Sequence, residues 1–333
     1  MTTALSQYNT SKVPAQVKTS VLLNDCTLRE GLQGIGVSLS EGLAVRLARE
    51  LARTGVKHVQ IGMPGRSEAD RLAIEAVRAE GVPVKIEALA AVYGDTWRDE
   101  VHRAAASGAD FLQLFHAASD RRLESIGMTR DAMLTRAVES IRYARLLGAT
   151  IVFTPTDTTR VAQSFLIELA KALQEAGATR IGIADTAGCA DPNGMRAVTE
   201  LVGSAVTIPM QVHCHNDLGL ALANTLAAVE AGATVVDVTV LGLGERAGNA
   251  AIDEVAVALE LLYGISTGVT LERLTALSQM VADALGVRIS AMKPLVGSSA
   301  FRHHFGIHTR DPEAFEPLSP ERVGNTRQLG SPS

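Results

Sequence analysis

The sequence predicts an α/β protein, a (β/α)8 TIM barrel over residues 19–264 that follows an N-terminal extension over residues 1–18. Three observations predict it. Short, apolar, β-rich runs alternate with longer segments whose apolar residues recur at three- and four-residue steps. Many of the helical segments close on glycine, at Gly55, Gly81, Gly108, Gly148, Gly177 and Gly232, where a helix C-terminus favours it. The alternation continues for roughly 250 residues, the usual length of such a barrel.

The first unit is SVLLNDCT followed by EGLAVRLARELARTG. Further runs at KHVQIGM, VKIEALA, DFLQLFH, TIVFTP, RIGIAD, PMQVHCH and TVVDVTV each precede a helix-like segment, which makes eight βα units. Strands this short and almost wholly apolar predict parallel strands buried on both faces. A doubly wound open sheet is the competing fold. For the usual dinucleotide reading it needs a glycine-rich phosphate turn after its first strand, and NDCTLREGLQG is not one.

Composition narrows the function classes. With 47% hydrophobic and 20% charged residues the chain can bury one large core. The net charge of −5 is spread along the chain rather than blocked into tails, so a basic footprint for nucleic acid is absent and small-molecule chemistry is expected. The N-terminal stretch MTTALSQYNTSKVPAQVK lacks the apolar core of a secretory signal, and no run of about eighteen apolar residues occurs, so a cytoplasmic protein without membrane contact is expected. Cys26, Cys189 and Cys214 have no CxxC spacing and are expected to be reduced thiols.

Barrel catalysis sits where strands end and βα loops begin. The polar residues there are Asp25, Arg29 and Glu30 after the first strand, Gln60 on the second, His116 after the fourth, Thr154 and Thr156 after the fifth, Asp185 and Thr186 after the sixth, and His213 and His215 on the seventh. Residues two apart on a strand point the same way, so His213 and His215 project together into the mouth while Cys214 points outward. Two imidazoles and a carboxylate from another strand, such as Glu30, make a divalent-cation set with positions open for substrate. The alternative is a pair of hydrogen-bonded histidines filling a polar barrel layer.

DCTLREGLQG, HCHND and GLGERAGNAAIDE resemble, in order and across nearly the whole chain, the acyl-CoA-dependent synthases and lyases of the DRE-TIM metallolyase superfamily. KPLVGSSAFRHHFGIHTRDPEAFEPLSPERVGNTRQLG is similar to the synthase branch, whose AFxHxxGIH segment belongs to a subdomain reaching the partner subunit's barrel. A C-terminal, mainly helical subdomain over residues 265–333 and a homodimer with exchanged C-terminal segments are therefore expected. ADTAGCADP and the REGLQ form of the first motif look most like homocitrate synthases, within a group that includes 2-isopropylmalate and citramalate synthases. The end near Ser333 leads one to expect no leucine-sensing domain of the kind appended to isopropylmalate synthases.

The resemblance implies a Claisen-type condensation of acetyl-CoA, as co-substrate, with a 2-oxo acid; a carbon–carbon lyase or aldolase on the same metal barrel and a noncatalytic metal- and ligand-binding relative are the alternatives. It assigns Glu30, His213, His215 and Asn249 to a divalent metal, Mg2+ or Mn2+ first and Zn2+ as an alternative. Arg29 would contact the substrate carbonyl, where an ion and a guanidinium together stabilise a developing alkoxide. Asp25 is expected to orient Arg29 or a ligand. Thr186 would bind the substrate carboxylate, or cap the helix that begins near DPNG. Gln33, His116, Thr154 and Asn216 are further substrate-side candidates. Gly242, Gly244 and Gly248 would let backbone amides approach the acyl carrier. His303 and His308 match the AFxHxxGIH histidines, the first in proton transfer across the dimer, while His304 is expected at the surface.

Two departures stand out. Relatives usually carry a glutamate after the fifth strand that helps deprotonate the acetyl methyl, whereas FTPTDTTR places Thr156 there with Asp157 following, so either His303 or Asp157 takes the proton, or the carbon nucleophile is made differently, or the substrate is unusual. Gln60 also stands where many relatives have glutamate. Arg121 and Arg122, after the fourth strand, are candidates for a second anionic group on the substrate.

Overall fold

The computed structural model describes residues 5–9, 13, 14, 17 and 21–330, so the first part of the predicted N-terminal extension lies mostly outside the described residues. All eight predicted strands are present: β1 (Leu22–Asp25), β2 (His58–Gln60), β3 (Lys85–Ala91), β4 (Phe111–Ala117), β5 (Ile151–Thr156), β6 (Arg180–Asp185), β7 (Met210–Cys214) and β8 (Val235–Val238). They pair in sequence order, all parallel, and close into a TIM barrel where Leu22–Asp25 register with Val235–Val238.

The helices are α1 (Leu32–Ile35), α2 (Glu41–Arg53), α3 (Glu68–Ala79), α4 (Trp97–Ala105), α5 (Asp120–Ser125), α6 (Arg130–Leu146), α7 (Gln163–Ala176), α8 (Pro192–Ala205), α9 (Ala221–Glu230), α10 (Ile252–Tyr263), α11 (Leu274–Leu285) and α12 (Gly306–Arg310). Side chains fix several starts. Ser40 accepts from the Leu43 N–H at 3.3 Å, Ser67 from Asp70 at 3.2 Å and Asp191 from Gly194 at 2.6 Å, each satisfying an amide the helix leaves bare. All six predicted helix-closing glycines take positive φ.

Alternation along the strands sorts two layers. Leu23, Val59, Ile86, Leu114, Phe153, Ile183, Val212 and Val236 face the helices and are buried with Leu47, Leu51, Ile74, Ile141 and Leu169. Their alternates, Asn24, Gln60, Glu87, Gln113, Arg180, Gln211 and Asp237, fill the barrel and bond to one another. The strands are thus buried on both faces, as expected, but the inner face mixes this polar set with apolar residues such as Val152 and Val235. Polar residues are tolerated inside because each finds partners there.

Beyond α10, α11 lies against α2. The following segment holds α12, two short helical turns at 312–315 and 320–323, and a parallel pair of β9 (Arg302–His303) with β10 (Gln328–Leu329). Thr275 donates to the Val323 carbonyl at 2.7 Å, tying this segment to α11. Among the described residues no helix is long and apolar enough to cross a membrane.

Gly55 joins α2 to β2 at φ 97, and a Cβ there would run into the Gly268 carbonyl. Gly55→Ala is expected to cost at least about 1–2 kcal/mol from the left-handed backbone alone. Urea unfolding of the two proteins measures it, and equal midpoints would contradict the close approach.

Candidate metal centre at the barrel mouth

After β1 the chain enters a single π-helical turn, Thr27–Gly31, in which the N–H groups of Glu30 and Gly31 both donate to the Cys26 carbonyl, at 2.8 and 3.3 Å. The turn is pinned at its start: Thr27 donates its N–H to Asp25 Oδ1 at 2.9 Å and accepts the Val240 N–H at 2.9 Å on its hydroxyl. Arg29 and Glu30 are thereby folded over the barrel and out of bulk water, Glu30 being 4% exposed. Their side chains form an ion pair with each other, and Arg29 Nε also donates to Gln60 Oε1 at 2.6 Å.

On β7, His213 and His215 turn inward together and Cys214 outward into the apolar layer. The two Nε2 atoms are 3.3 Å apart and His215 Nε2 is 3.8 Å from Glu30 Oε1. The donor atoms of Glu30, His213 and His215 all lie within 4.8 Å of one another. Asn249 is bridged to His215 through the backbone. Its Nδ2 donates to the Leu243 carbonyl at 3.3 Å, while its buried Oδ1 has no partner among the described residues. An unmet buried acceptor beside two imidazoles and a carboxylate fits a divalent cation that wants oxygen and nitrogen donors.

Protonation supports the same reading. Burial pushes the Glu30 carboxyl up, but Arg29, His213 and His215 outweigh it and take it down to about 2. Burial, with the neighbouring His213, lowers His215 to about 3. Carboxylate and neutral imidazole are the ligating forms. A second trio, Cys26, His213 and Asp237, also lies within reach of one ion. It fits less well: Asp237 Oδ1 already accepts from Asn24 and Gln211, and burial pushes the Cys26 thiol well up, away from the thiolate.

Other sequence candidates divide. Thr154 faces the interior and accepts from Gln113 Nε2 at 2.7 Å. Thr186 accepts the Asp157 N–H at 2.8 Å, and the cap of α8 is Asp191 instead. Gln33 and Arg29 line one cavity of about 200 Å³ with Leu28, Leu39 and Asp70. A Cβ on Gly244 would collide with the Asn249 amide and press on Glu30, and one on Gly248 with the Gly242 carbonyl, so bare α-carbons in this loop make room for the site itself. Asn216 accepts the Ala221 N–H at 3.1 Å.

Several candidates are not brought into this group. His116 alternates with the inward Gln113 and so faces the helix layer, edge-on to Tyr93 at 5.9 Å, with Nδ1 against the Ala117 carbonyl at 2.7 Å. Asp25 bonds Thr27 rather than Arg29; its Oδ2 is buried without a partner, and burial raises its carboxyl to about 7. Asp157, buried at φ 65, is held by the Ser119 hydroxyl and by Arg160 Nε at 2.8 Å. Arg121 and Arg122 lie exposed on α5. His303 is paired with Glu316 at 2.9 Å, which Arg327 also grips at 2.6 Å, and His308 stacks on Phe315 at 3.8 Å; these contacts stay within the C-terminal segment.

Sequence reasoning did not single out Asp237, Gln211, Asn24, Glu87, Arg180 or Ser119. The period-two polar positions inside the apolar runs were the available signal for the first five.

The HMGL-like family profile matches residues 20–281. The chain is 42% identical, over 93% of its length, to a Methanopyrus kandleri protein named as a probable 2-isopropylmalate synthase, and 38% identical over 93% to a homocitrate synthase of the same organism. It spans 62% of the first relative and 78% of the second. Among solved structures, a hydroxymethylglutaryl-CoA lyase from Pseudomonas aeruginosa is similar at 25% identity and TM-score 0.70, covering 82% of this chain and 95% of that one.

His213→Ala and His215→Ala are each expected to abolish Mn2+ binding in calorimetry, and Asn249→Ala to weaken it by about tenfold or more; unchanged affinity in all three would return these residues to a polar core layer. Asp25 yields a stability test. Its folded value, about 7, lies above the unfolded 3.8, so the stability its proton confers is complete below pH 3.8 and is lost as pH rises through 7. Asp25→Asn should therefore stabilise the protein increasingly between pH 4 and pH 8, by at most on the order of 4 kcal/mol. A pH-independent difference in urea midpoints would contradict this.

Proposed function

The chain belongs to the HMGL-like family of DRE-TIM barrels, and on that premise we propose that it is a metal-dependent acyltransferase that condenses acetyl-CoA with a 2-oxo acid to give a tertiary 2-hydroxy acid and free CoA. The observation that carries the reading is the Glu30, His213 and His215 group, with the unmet Asn249 oxygen and Arg29 beside it. The synthase names of the relatives support it.

A divalent ion held by Glu30, His213, His215 and Asn249 would polarise the keto group and steady the alkoxide. Arg29 is positioned to share that charge: Nε is fixed by Gln60 and Nη1 by Glu30, and Nη2 has no protein hydrogen bond among the described residues. Thr154 and Thr186 each accept a hydrogen bond from the protein, so their hydroxyl hydrogens remain to donate to a substrate carboxylate. Thr156 has no carboxylate to offer as base. Asp157 already accepts from Ser119 and Arg160, so His303, held by Glu316 and delivered to a partner's barrel in a homodimer with exchanged C-terminal segments, is the residue we assign to the acetyl methyl proton. The glycine loop Gly242, Gly244 and Gly248 lies on the acyl-CoA side of this scheme, and the protein is taken to be cytoplasmic.

A carbon–carbon lyase on the same barrel is the second reading, favoured by the structural similarity to lyases. One assay separates the two. With Mg2+ or Mn2+ and acetyl-CoA, thiol release is expected on adding at least one of pyruvate, 2-oxobutyrate, 2-oxoisovalerate or 2-oxoglutarate, and Arg29→Lys should lower kcat on the order of 10²–10³-fold, the cost of one misplaced donor at a developing oxyanion. Release with none of the acids would overturn the synthase reading.

A further inference from the structure

The hydrogen bonds beneath the site have a direction. Arg180, at the start of β6, carries donors only. Its Nη1 donates to Gln211 Oε1 at 2.8 Å and faces Glu87 Oε2 at 3.3 Å. With its oxygen engaged, Gln211 presents Nε2, which donates to Asp237 Oδ1 at 2.7 Å and to Glu87 Oε1 at 3.1 Å. Asn24 Nδ2 donates to the same two oxygens, at 2.9 and 3.1 Å. The Gln211 orientation is therefore set by Arg180, which can act in only one sense, and Asn24 turns its NH2 to the same two carboxylates. Asp237 Oδ2 then faces His213 Nδ1 at 3.1 Å.

We propose that Arg180, Gln211 and Asp237 form a positioning chain for the metal centre, holding His213 as the Nδ1–H tautomer so that Nε2 keeps its lone pair beside His215 and Glu30. The proposal rests on reading that group as a metal site. A carboxylate that accepts from Nδ1–H fixes both the tautomer and the ring plane of a ligating histidine, and losing such a partner typically costs 10–100-fold in metal affinity. His215 shows the contrast, because its Nδ1 is buried with no partner among the described residues. Of the two imidazoles, only His213 is set from below.

The direction of the chain makes one substitution diagnostic. In Asp237→Asn, the donors from Asn24 and Gln211 claim the new amide oxygen, which leaves its NH2 facing His213 Nδ1. That nitrogen must then accept, the proton moves to Nε2, and the metal-facing position is blocked.

The experiment uses the full chain, metal-free, with 15N-labelled histidine. Long-range 1H–15N spectra report the His213 tautomer, and calorimetry with Mn2+ reports affinity. The expected result is Nδ1–H in the parent, Nε2–H in Asp237→Asn, and a Kd weaker by about 10–100-fold in the variant, with His215 signals retained. Gln211→Met serves if Asp237→Asn does not fold, and should loosen the same tautomer preference and weaken Mn2+ binding in the same direction. A merely structural role would lower the unfolding temperature without moving the tautomer. An Nε2–H His213 in the parent, or a variant whose tautomer and Kd match the parent, overturns the proposal. A parent that is Nδ1–H but binds no Mn2+ also overturns it, and locates the failure in the metal reading; Mn2+ binding without thiol release leaves the chain standing and removes only the proposed reaction.

Discussion

Two groups at the mouth of this barrel, Arg29 and His213, take their orientation from one buried carboxylate, Glu87. Glu87 Oε1 accepts from Asn24, Gln60 and Gln211, at 3.1, 2.8 and 3.1 Å, and Oε2 faces Arg180. Four strands other than its own are thereby addressed from a single side chain. Through Gln60 the arrangement reaches Arg29, because an amide that donates to Glu87 has only its oxygen left for Arg29 Nε. By way of Gln211 and Asn24 it reaches Asp237 and so His213. The Arg29 guanidinium and the His213 imidazole, on either side of Glu30, are set by the same acceptor.

Such a plug is an unusual way to fill a barrel whose interior side chains commonly are bulky and aliphatic. Buried polar groups add little net stability even when fully bonded, and replacing them by apolar groups of like shape is often neutral. Burial and the nearby Asp237 both push Glu87 towards its protonated form, with Arg180 and the amides opposing. The network is therefore better explained by what it orients than by what it contributes to folding. Apolar stability comes from the other face of the same strands, where Leu23, Val59, Phe153 and Val236 meet the helices.

The eight strands were legible in the sequence because each carries apolar residues on its outward face and, for six of them, glycine marks the preceding helix end. The grouping of Glu30 with His213 and His215 was legible too: HxH places two imidazoles on one side by alternation alone, and REG after the first strand supplies the acid. His116 was misplaced because its position was judged by closeness to the strand end rather than by parity with Gln113, which settles the direction. The role of Asp25 was missed for another reason. The π-helical turn carries Arg29 up and over the barrel, away from a residue only four positions earlier in the chain, and nothing in TLREG announces a widened helical turn. Apart from Gln60, the plug was hidden in plain alternation, since Asn24, Glu87, Gln113, Gln211 and Asp237 sit inside runs read as almost wholly apolar.

The departure at Thr156 fits this geometry. A carboxylate there would stand near Thr154 and Thr186, whose hydroxyl hydrogens are free to point at an anion because Gln113 and the Asp157 amide already occupy their oxygens. Thr156 instead donates to the His116 carbonyl at 3.2 Å and brings no charge. Asp157, the nearest acid in sequence, is turned aside by its left-handed backbone and neutralised by Ser119 and Arg160. The fifth-strand side of the mouth thus offers donors without a competing anion, opposite the Glu30 and histidine group. On the proposed reading, such an arrangement suits an anionic oxo acid held between the two, and the task of taking a proton from carbon falls to a group off the barrel wall, such as His303, that another segment would bring.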